Sequence, residues 1–358
     1  MMREVQSILI MAGGTGGHVF PGLAVANYCR EHGIDVHWLG TRNGIEAKLV
    51  PDAGFPIHFI EISGLRGKGW ASLLKAPWRL IRAIYQAQKV IRRLQPDAVL
   101  GMGGFVSGPG GIASWLLGTK LVIHEQNAKA GLTNRWLAKI AARVLEGFPD
   151  TFDKRNKVVT TGNPVRKEIA LLPAPAERLA LRSDGPRILV LGGSLGAQAI
   201  NQLLPRTLAR LPVEARPEVY HQTGEKHFND TIQAYAKAGV SAKIVPFIIE
   251  MDQAYAWADF VICRAGALTI AELCAAGVGA VLVPFPYAVD DHQTANAHFM
   301  ASQHAALLVQ QSALSEEVLE TMLQDLCCSA DKRRQMAEAA YHLRKIDAVE
   351  KVCKEVCH

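Results

Sequence analysis

Three stretches of this 358-residue chain have the composition of anion-binding loops: GGTGGH at 13–18, GGFVSG at 103–108 and GGSLG at 192–196. A helix start presents unpaired backbone N–H groups and roughly half a positive charge, and glycine lets that backbone approach an anion closely. One such loop reads equally well as a tight turn without a ligand. Three in one chain favour a phosphorylated ligand. A dinucleotide loop needs G-x-G-x-x-G and an acid after the second strand. Here Val19 stands at the third glycine position, and Trp38-Leu39-Gly40-Thr41-Arg42 carries no acid. With no Walker lysine either, NAD and ATP are both disfavoured.

His18 stands at the exit of the first loop. An imidazole there can act as general base on a bound hydroxyl, or it can simply pack at a helix start. In the second half, FVICRAGALTIAE at 260–272 reads as strand, turn and helix, with Ala267, Leu268 and Thr269 at the helix start and Glu272 about one turn in. A carboxylate has two acceptor oxygens, which suit the vicinal hydroxyls of a ribose; the alternative is a solvated residue or a partner of the helix dipole. Asp290 and Asp291 are adjacent acids without further ligands, so they read as a loop or helix cap. The seven cysteines form no CxxC pair, and Cys353, Cys357 and His358 are too few for a zinc site. A helical tail and a reducing cytoplasm fit them better.

The elements that must position these residues follow from the apolar pattern. Short β-rich runs at 7–11, 35–39, 57–60, 98–102 and 121–124 alternate with helical stretches, and the pattern restarts at 188–191, 218–222, 243–245, 260–263, 280–283 and 306–309. Such alternation indicates parallel sheets covered on both faces. Gly13 and Gly192 lie 179 positions apart, half the chain, and each opens a glycine loop between strand and helix. The fold class expected is α/β, two Rossmann-like doubly wound domains in tandem with a ligand cleft between them. The stretch 162–186, with four prolines, is the expected connection.

Composition sets further bounds. With 49% hydrophobic and 20% charged residues the chain is a folded globular protein. No run reaches the ~18 apolar residues of a spanning helix. The N-terminus leads into a glycine loop, so it reads as a first core strand rather than a signal peptide. The net charge is +6, yet residues 66–93 alone hold eight basic residues and no acid, leaving 31 basic against 33 acidic residues elsewhere. A single patch argues for a local anionic partner and against a nucleic-acid coat. Within it, Trp70, Lys75, Trp78, Arg79, Arg82 and Tyr85 mix aromatics with cations, as an anionic bilayer interface requires; a plain surface helix is the alternative. Pro77, Ile81, Ile84, Gln88 and Ile91 fall at helical spacing and are expected to pack on the domain.

GGTGGHVFPGLAVA (13–26), ISGLRGKG (62–69), GGFVSGPGG (103–111), HEQNAKAGLTNRWLAKIA (124–141), TGNPVR (161–166), GGSLGA (192–197) and CRAGALTIAEL (263–273) together resemble signatures of the MurG family of bacterial peptidoglycan N-acetylglucosaminyltransferases. The resemblance runs through nearly the whole chain. It implies the GT-B fold, with residues 1–165 plus about 342–358 as an acceptor- and membrane-binding domain and 166–341 as the UDP-sugar domain. It implies transfer of N-acetylglucosamine from UDP-N-acetylglucosamine to the C4 hydroxyl of undecaprenyl-pyrophosphoryl-linked lipid I, giving lipid II at the cytoplasmic face of the inner membrane.

Site roles follow at matching positions. Ile248 would meet the uracil through backbone groups and Glu272 would hold the ribose. Ser194 and Arg166 would lie near the phosphate and nucleotide. Asn127, Gln293, Ala267, Leu268 and Thr269 would hold the sugar, and Ile270 and Ala271 would also belong to the substrate-binding segment. Thr15, Gly16 and Gly17 would face the donor, and Gly14, Gly103, Gly104 and Ser107 would form the acceptor diphosphate loops. Phe105 and Leu195 stand where Tyr and Gln are common, which removes a side-chain hydroxyl and an amide from those loops. His18 is the first candidate base and Glu125 the second. No Asp-x-Asp motif is present, so no tightly bound cofactor is expected, helix-end amides are expected to stabilise the departing diphosphate, and a divalent metal requirement is left undecided. Two other classes remain: a UDP-N-acetylglucosamine epimerase, which would need no membrane patch, and a non-enzymatic binder of nucleotide or anionic lipid.

Overall fold

The computed structural model describes residues 5–62, 76–153, 156–180, 185–193 and 196–358. Trp70, Lys75, Ser194 and Leu195, and with them most of ISGLRGKG, lie outside the described residues. The chain divides into two compact units, Met1–Arg166 with Ile346–His358, and Lys167–Lys345.

In the first unit, seven parallel strands run in the order β3-β2-β1-β4-β5-β6-β7. They are β1 (Ser7–Ala12), β2 (Asp35–Gly40), β3 (Ile57–Phe59), β4 (Ala98–Gly103), β5 (Lys120–Glu125), β6 (Arg143–Glu146) and β7 (Val158–Thr160). The central strands are apolar on both faces because helices cover both. Ile8, Ile10, Leu100 and Val122 join one core with Trp38 and the C-terminal helix Ala348–Cys357. Leu9, Met11, Val99 and Ile123 join another with Ala83, Ala87 and Ile91. β6 and β7 escaped the sequence reading: RVLE and VVT are edge strands too short to show a pattern.

In the second unit, β8 (Arg187–Leu191), β9 (Glu218–Gln222), β10 (Lys243–Val245), β11 (Phe260–Cys263), β12 (Gly279–Leu282) and β13 (Ala306–Leu308) form a parallel sheet ordered β10-β9-β8-β11-β12-β13. Each sheet reverses its strand order once, between β1 and β4 and between β8 and β11. Chain segments leave such a switch point in opposite directions and open a crevice at the strands' carboxyl ends. The loops after β1, β4, β8 and β11 are the glycine-bearing ones singled out above.

One packing expectation is corrected. The helix Ala76–Leu94 buries Ala83, Ala87 and Ile91, whereas Pro77 and Ile81 are exposed. The buried stripe of Ala83, Ala87 and Ile91, with Ile84 partly buried beside it, joins the core, and the helix packs against the helix Ser107–Leu116. Ile81 therefore joins Trp78, Leu80 and Tyr85 on the solvent side.

Candidate functional site

In the first unit the loop after β1 is held from behind. Glu46, fully buried, accepts the Gly14 N–H at 2.9 Å, the Thr41 N–H at 2.9 Å and the Thr41 hydroxyl at 2.8 Å. A Cβ at Gly13, Gly40 or Gly44 would collide with the Glu46 side chain, so these glycines make room for a buried carboxylate. Sequence reading passed over Glu46; a lone acid after a strand has no local signature. In Glu46→Gln an NH2 would face the Gly14 N–H. The loss of that one charge-assisted bond should lower stability by about 1.5–3 kcal/mol. An unchanged urea midpoint would refute the clamp.

The loop after β4 lies directly on the first loop. Gly104 has φ +81°, and a Cβ there would strike the Gly13 carbonyl oxygen; a Cβ at Gly103 would come within 2.5 Å of His18 Nδ1. Glycine at both positions thus seats the two loops and the His18 ring together. The Ser107 hydroxyl accepts the Gly103 N–H at 3.0 Å and lies 2.9 and 3.1 Å from the Gly103 and Met11 carbonyls, to one of which it donates. It latches the loop, and its hydroxyl is spent on the loop's own backbone. Thr15 is the N-cap of the helix Gly16–Glu31, which begins with Gly16, Gly17 and His18.

Behind His18 is a buried polar chain. His18 Nδ1 is 3.0 Å from Gln126 Oε1. Gln126 Nε2 donates to the Met102 carbonyl at 2.7 Å and lies 3.2 Å from His124 Nδ1, and His124 Nε2 is 3.0 Å from the Gly162 carbonyl. Burial pushes His124 down to about 4, with the Gly162 hydrogen bond and the Glu125 charge opposing and His18 adding to the shift.

Glu125 has a different occupation from a base. Its carboxylate accepts from the Asn127 N–H at 3.0 Å, Asn127 Nδ2 at 3.1 Å, the Gly131 N–H at 3.0 Å and Asn134 Nδ2 at 2.9 Å. Four donors match the roughly four lone-pair sites of a carboxylate, which argues for a scaffold of the 125–134 turn. Asn127 is part of that scaffold through its side-chain amide. Arg166 lies with its guanidinium 5.6 Å from the centre of the Phe20 ring.

In the second unit, Gly266 caps the helix Ala267–Ala276, its carbonyl accepting the Ile270 N–H at 2.9 Å. The amides at Ala267, Leu268 and Thr269 are therefore the helix's first, as the sequence indicated. Ile270 is buried in the core, so its side chain has no outward role; Ala271 is half-buried. Glu272 is buried rather than solvated, and Tyr255 donates its hydroxyl to Oε2 at 3.1 Å. Tyr255 was not legible as a site residue because it comes from a separate helix, Met251–Trp257. The Ile248 N–H reaches Gln222 Oε1 at 3.4 Å, a long bond, and Gln293 Oε1 accepts the Phe285 N–H at 2.9 Å. Asp291 is the N-cap of the helix His292–Ala301 and accepts the Thr294 hydroxyl at 2.6 Å. Among the described residues no group of three or more His, Cys, Asp or Glu side chains could hold a metal ion.

A second buried histidine, His221, lies between Tyr235 and Asn201 and is pushed down to about 3 by burial. His124 and His221 thus resist protonation when folded, while an unfolded imidazole takes a proton near 6.5. Between pH 6.5 and about 4 the unfolded chain binds more protons. Stability is full above pH 6.5 and is lost as pH falls, by about 1.4 kcal/mol per pH unit for each histidine. Urea midpoints at pH 7 and pH 5 should differ accordingly; equal midpoints would mean that both rings are protonated without unfolding.

Two parallel sheets, each with glycine loops at its switch point, are the build of the GT-B glycosyltransferases. Residues 8–146 match the glycosyltransferase family 28 N-terminal domain and residues 187–352 its C-terminal domain. A UDP-N-acetylglucosamine--N-acetylmuramyl-(pentapeptide) pyrophosphoryl-undecaprenol N-acetylglucosamine transferase of Stutzerimonas stutzeri is 54% identical over 98% of this chain and 99% of its own length. The protein of that name from Pseudomonas putida KT2440 is 52% identical over the full length of both. The crystal structure of Acinetobacter baumannii MurG superposes with a TM-score of 0.84 at 41% identity, over 98% of this chain and 99% of that one. The chain belongs to glycosyltransferase family 28 and, within it, to the MurG transferases. A UDP-N-acetylglucosamine 2-epimerase structure at 13% identity and a TM-score of 0.68 shares the fold alone.

Proposed function

We propose that this chain transfers N-acetylglucosamine from UDP-N-acetylglucosamine to the C4 hydroxyl of the N-acetylmuramyl sugar of undecaprenyl-linked lipid I, giving lipid II for peptidoglycan synthesis. The observation that carries this reading is the full-length identity of 52–55% to transferases named for that reaction. The unit of Met1–Arg166 and Ile346–His358 takes the acceptor, and the unit of Lys167–Lys345 takes the donor. The donor sugar is α-linked and the product β-1,4, so one displacement inverts C1. His18 Nε2 takes the proton of the acceptor hydroxyl, the new O–C1 bond forms, and the C1–O bond to the diphosphate breaks with its electrons leaving on UDP. The helix-start amides at Ala267, Leu268 and Thr269 face negative charge on the donor side, and a fixed N–H donor is most effective where charge develops. Glu272, set by Tyr255, accepts from the ribose hydroxyls. Incubation with labelled UDP-N-acetylglucosamine, with and without lipid I, tests the reading: acceptor-dependent transfer supports it, and epimerised sugar without acceptor would replace it. Parallel reactions with EDTA read the divalent metal requirement.

The acceptor is lipid-linked, and we place the membrane contact on the first unit, at the cytoplasmic face. Among the described residues no helix is long and apolar enough to cross a membrane, so the contact would be peripheral. Trp78, Ile81 and Tyr85 are each more than half exposed beside Arg79 and Arg82. Arg82 also pairs with exposed Glu61 at 3.0 Å, a pairing worth little in water. The helix Ala76–Leu94 packs on Ser107–Leu116, which packs on Leu132–Ile140, and these carry exposed Trp115 and Trp136. Substituting Trp78, Arg79 and Arg82 together should weaken binding to anionic vesicles, each cation contributing about 1 kcal/mol near such a surface. Transfer to a water-soluble acceptor should survive. Co-sedimentation across a salt series measures it; undiminished binding by the triple variant would move the contact toward Trp115, Arg135, Trp136 and Lys139.

A further inference from the structure

We infer that Gln126 is a positioning residue that sets the tautomer of His18, holding the proton on Nδ1 and leaving the basic lone pair on Nε2. The inference follows from two backbone carbonyls, which can only accept hydrogen bonds. The Gly162 carbonyl lies 3.0 Å from His124 Nε2, so that nitrogen carries the proton. His124 is fully buried and neutral near pH 7, so its Nδ1 is an acceptor. Gln126 Nε2 lies 3.2 Å from that acceptor and 2.7 Å from the Met102 carbonyl, which orients the amide with its NH2 inward. Gln126 Oε1 must then face His18. Its partner at 3.0 Å, His18 Nδ1, must be the donor.

Each ring nitrogen and amide atom along this chain is assigned by the one before it, starting from Gly162 and Met102. A histidine base is commonly oriented by a carboxylate, which also stabilises the imidazolium that forms. A neutral amide does the first without the second. Gln126 is buried and its own backbone carbonyl accepts from Asn163 Nδ2 at 2.9 Å, so its place is fixed from both ends. The tautomer itself does not depend on the proposed activity; its catalytic consequence rests on the reading of His18 as base.

The direct test is the imidazole 15N spectrum of the full-length protein at pH 7.5, with the His18 resonances assigned by their loss in His18→Ala. The expected pattern is a protonated Nδ1 and an unprotonated Nε2; the opposite pattern in the wild-type protein would overturn the inference. In Gln126→Met, which removes the acceptor at similar volume, the Nε2–H form should gain population. Turnover should fall about 10-fold or more with donor KM within about threefold. An unchanged His18 spectrum in Gln126→Met would also overturn the inference. A spectrum that changes while kcat does not would uphold the tautomer assignment and remove His18 from the role of base.

Discussion

His18→Ala should lower turnover by about 100- to 10,000-fold, the usual contribution of a general base, while UDP affinity stays within about twofold. The ring stands at the start of a helix, over Gly103, with Nδ1 against Gln126. That placement directs Nε2 away from the buried amide, and the proposed proton transfer needs an unprotonated nitrogen there. Glu125, the second candidate, is surrounded by four N–H donors, so it is a poor substitute. Ile248 and Glu272, the residues proposed for the uracil and the ribose, belong to the other unit, which is why binding of UDP should be spared. Single-turnover rates with saturating acceptor, together with calorimetry for UDP, separate the two effects. Near-normal turnover would make His18 a packing residue and require another base.

Glu272→Ala should weaken UDP binding by roughly 10- to 150-fold. The estimate takes a hydrogen bond to a charged group as about 1.5–3 kcal/mol, at 1.4 kcal/mol per factor of ten. The carboxylate is buried yet close to the start of its helix, and the Tyr255 hydroxyl holds one oxygen. That bond fixes the direction in which the carboxylate is presented. Tyr255→Phe should therefore give a smaller loss of the same kind. Calorimetric titration with UDP decides it: wild-type affinity in Glu272→Ala would assign the carboxylate to the stability of the second unit alone.

Much of the fold was legible because buried parallel strands must be apolar on both faces, and such runs stand out even without a partner in view. The helix-start amides at Ala267, Leu268 and Thr269 were legible for a similar reason, since strand, glycine turn and helix are adjacent in sequence. The short edge strands β6 and β7 lacked enough residues to show any period. On Ala76–Leu94 the expected stripe held at Ile84 and Ile91 and failed at Pro77 and Ile81, because spacing identifies a stripe but not where along the helix packing begins.

Residue types along the chain by themselves determined that two half-chain units would each carry glycine turns between strand and helix, that His18 and Glu272 would stand beside such turns, and that the positive charge would be local. Only the tertiary structure decided how those groups are held. The Glu46 clamp joins residues 14, 41 and 46, Tyr255 reaches Glu272 from another helix, and the chain from Gly162 through His124 and Gln126 to His18 spans more than a hundred positions. Strand and helix periods are local consequences of backbone geometry and leave a trace in sequence. Buried hydrogen bonds between distant side chains depend on which elements pack together, and that is settled when the sheet assembles and every buried donor and acceptor must find its partner.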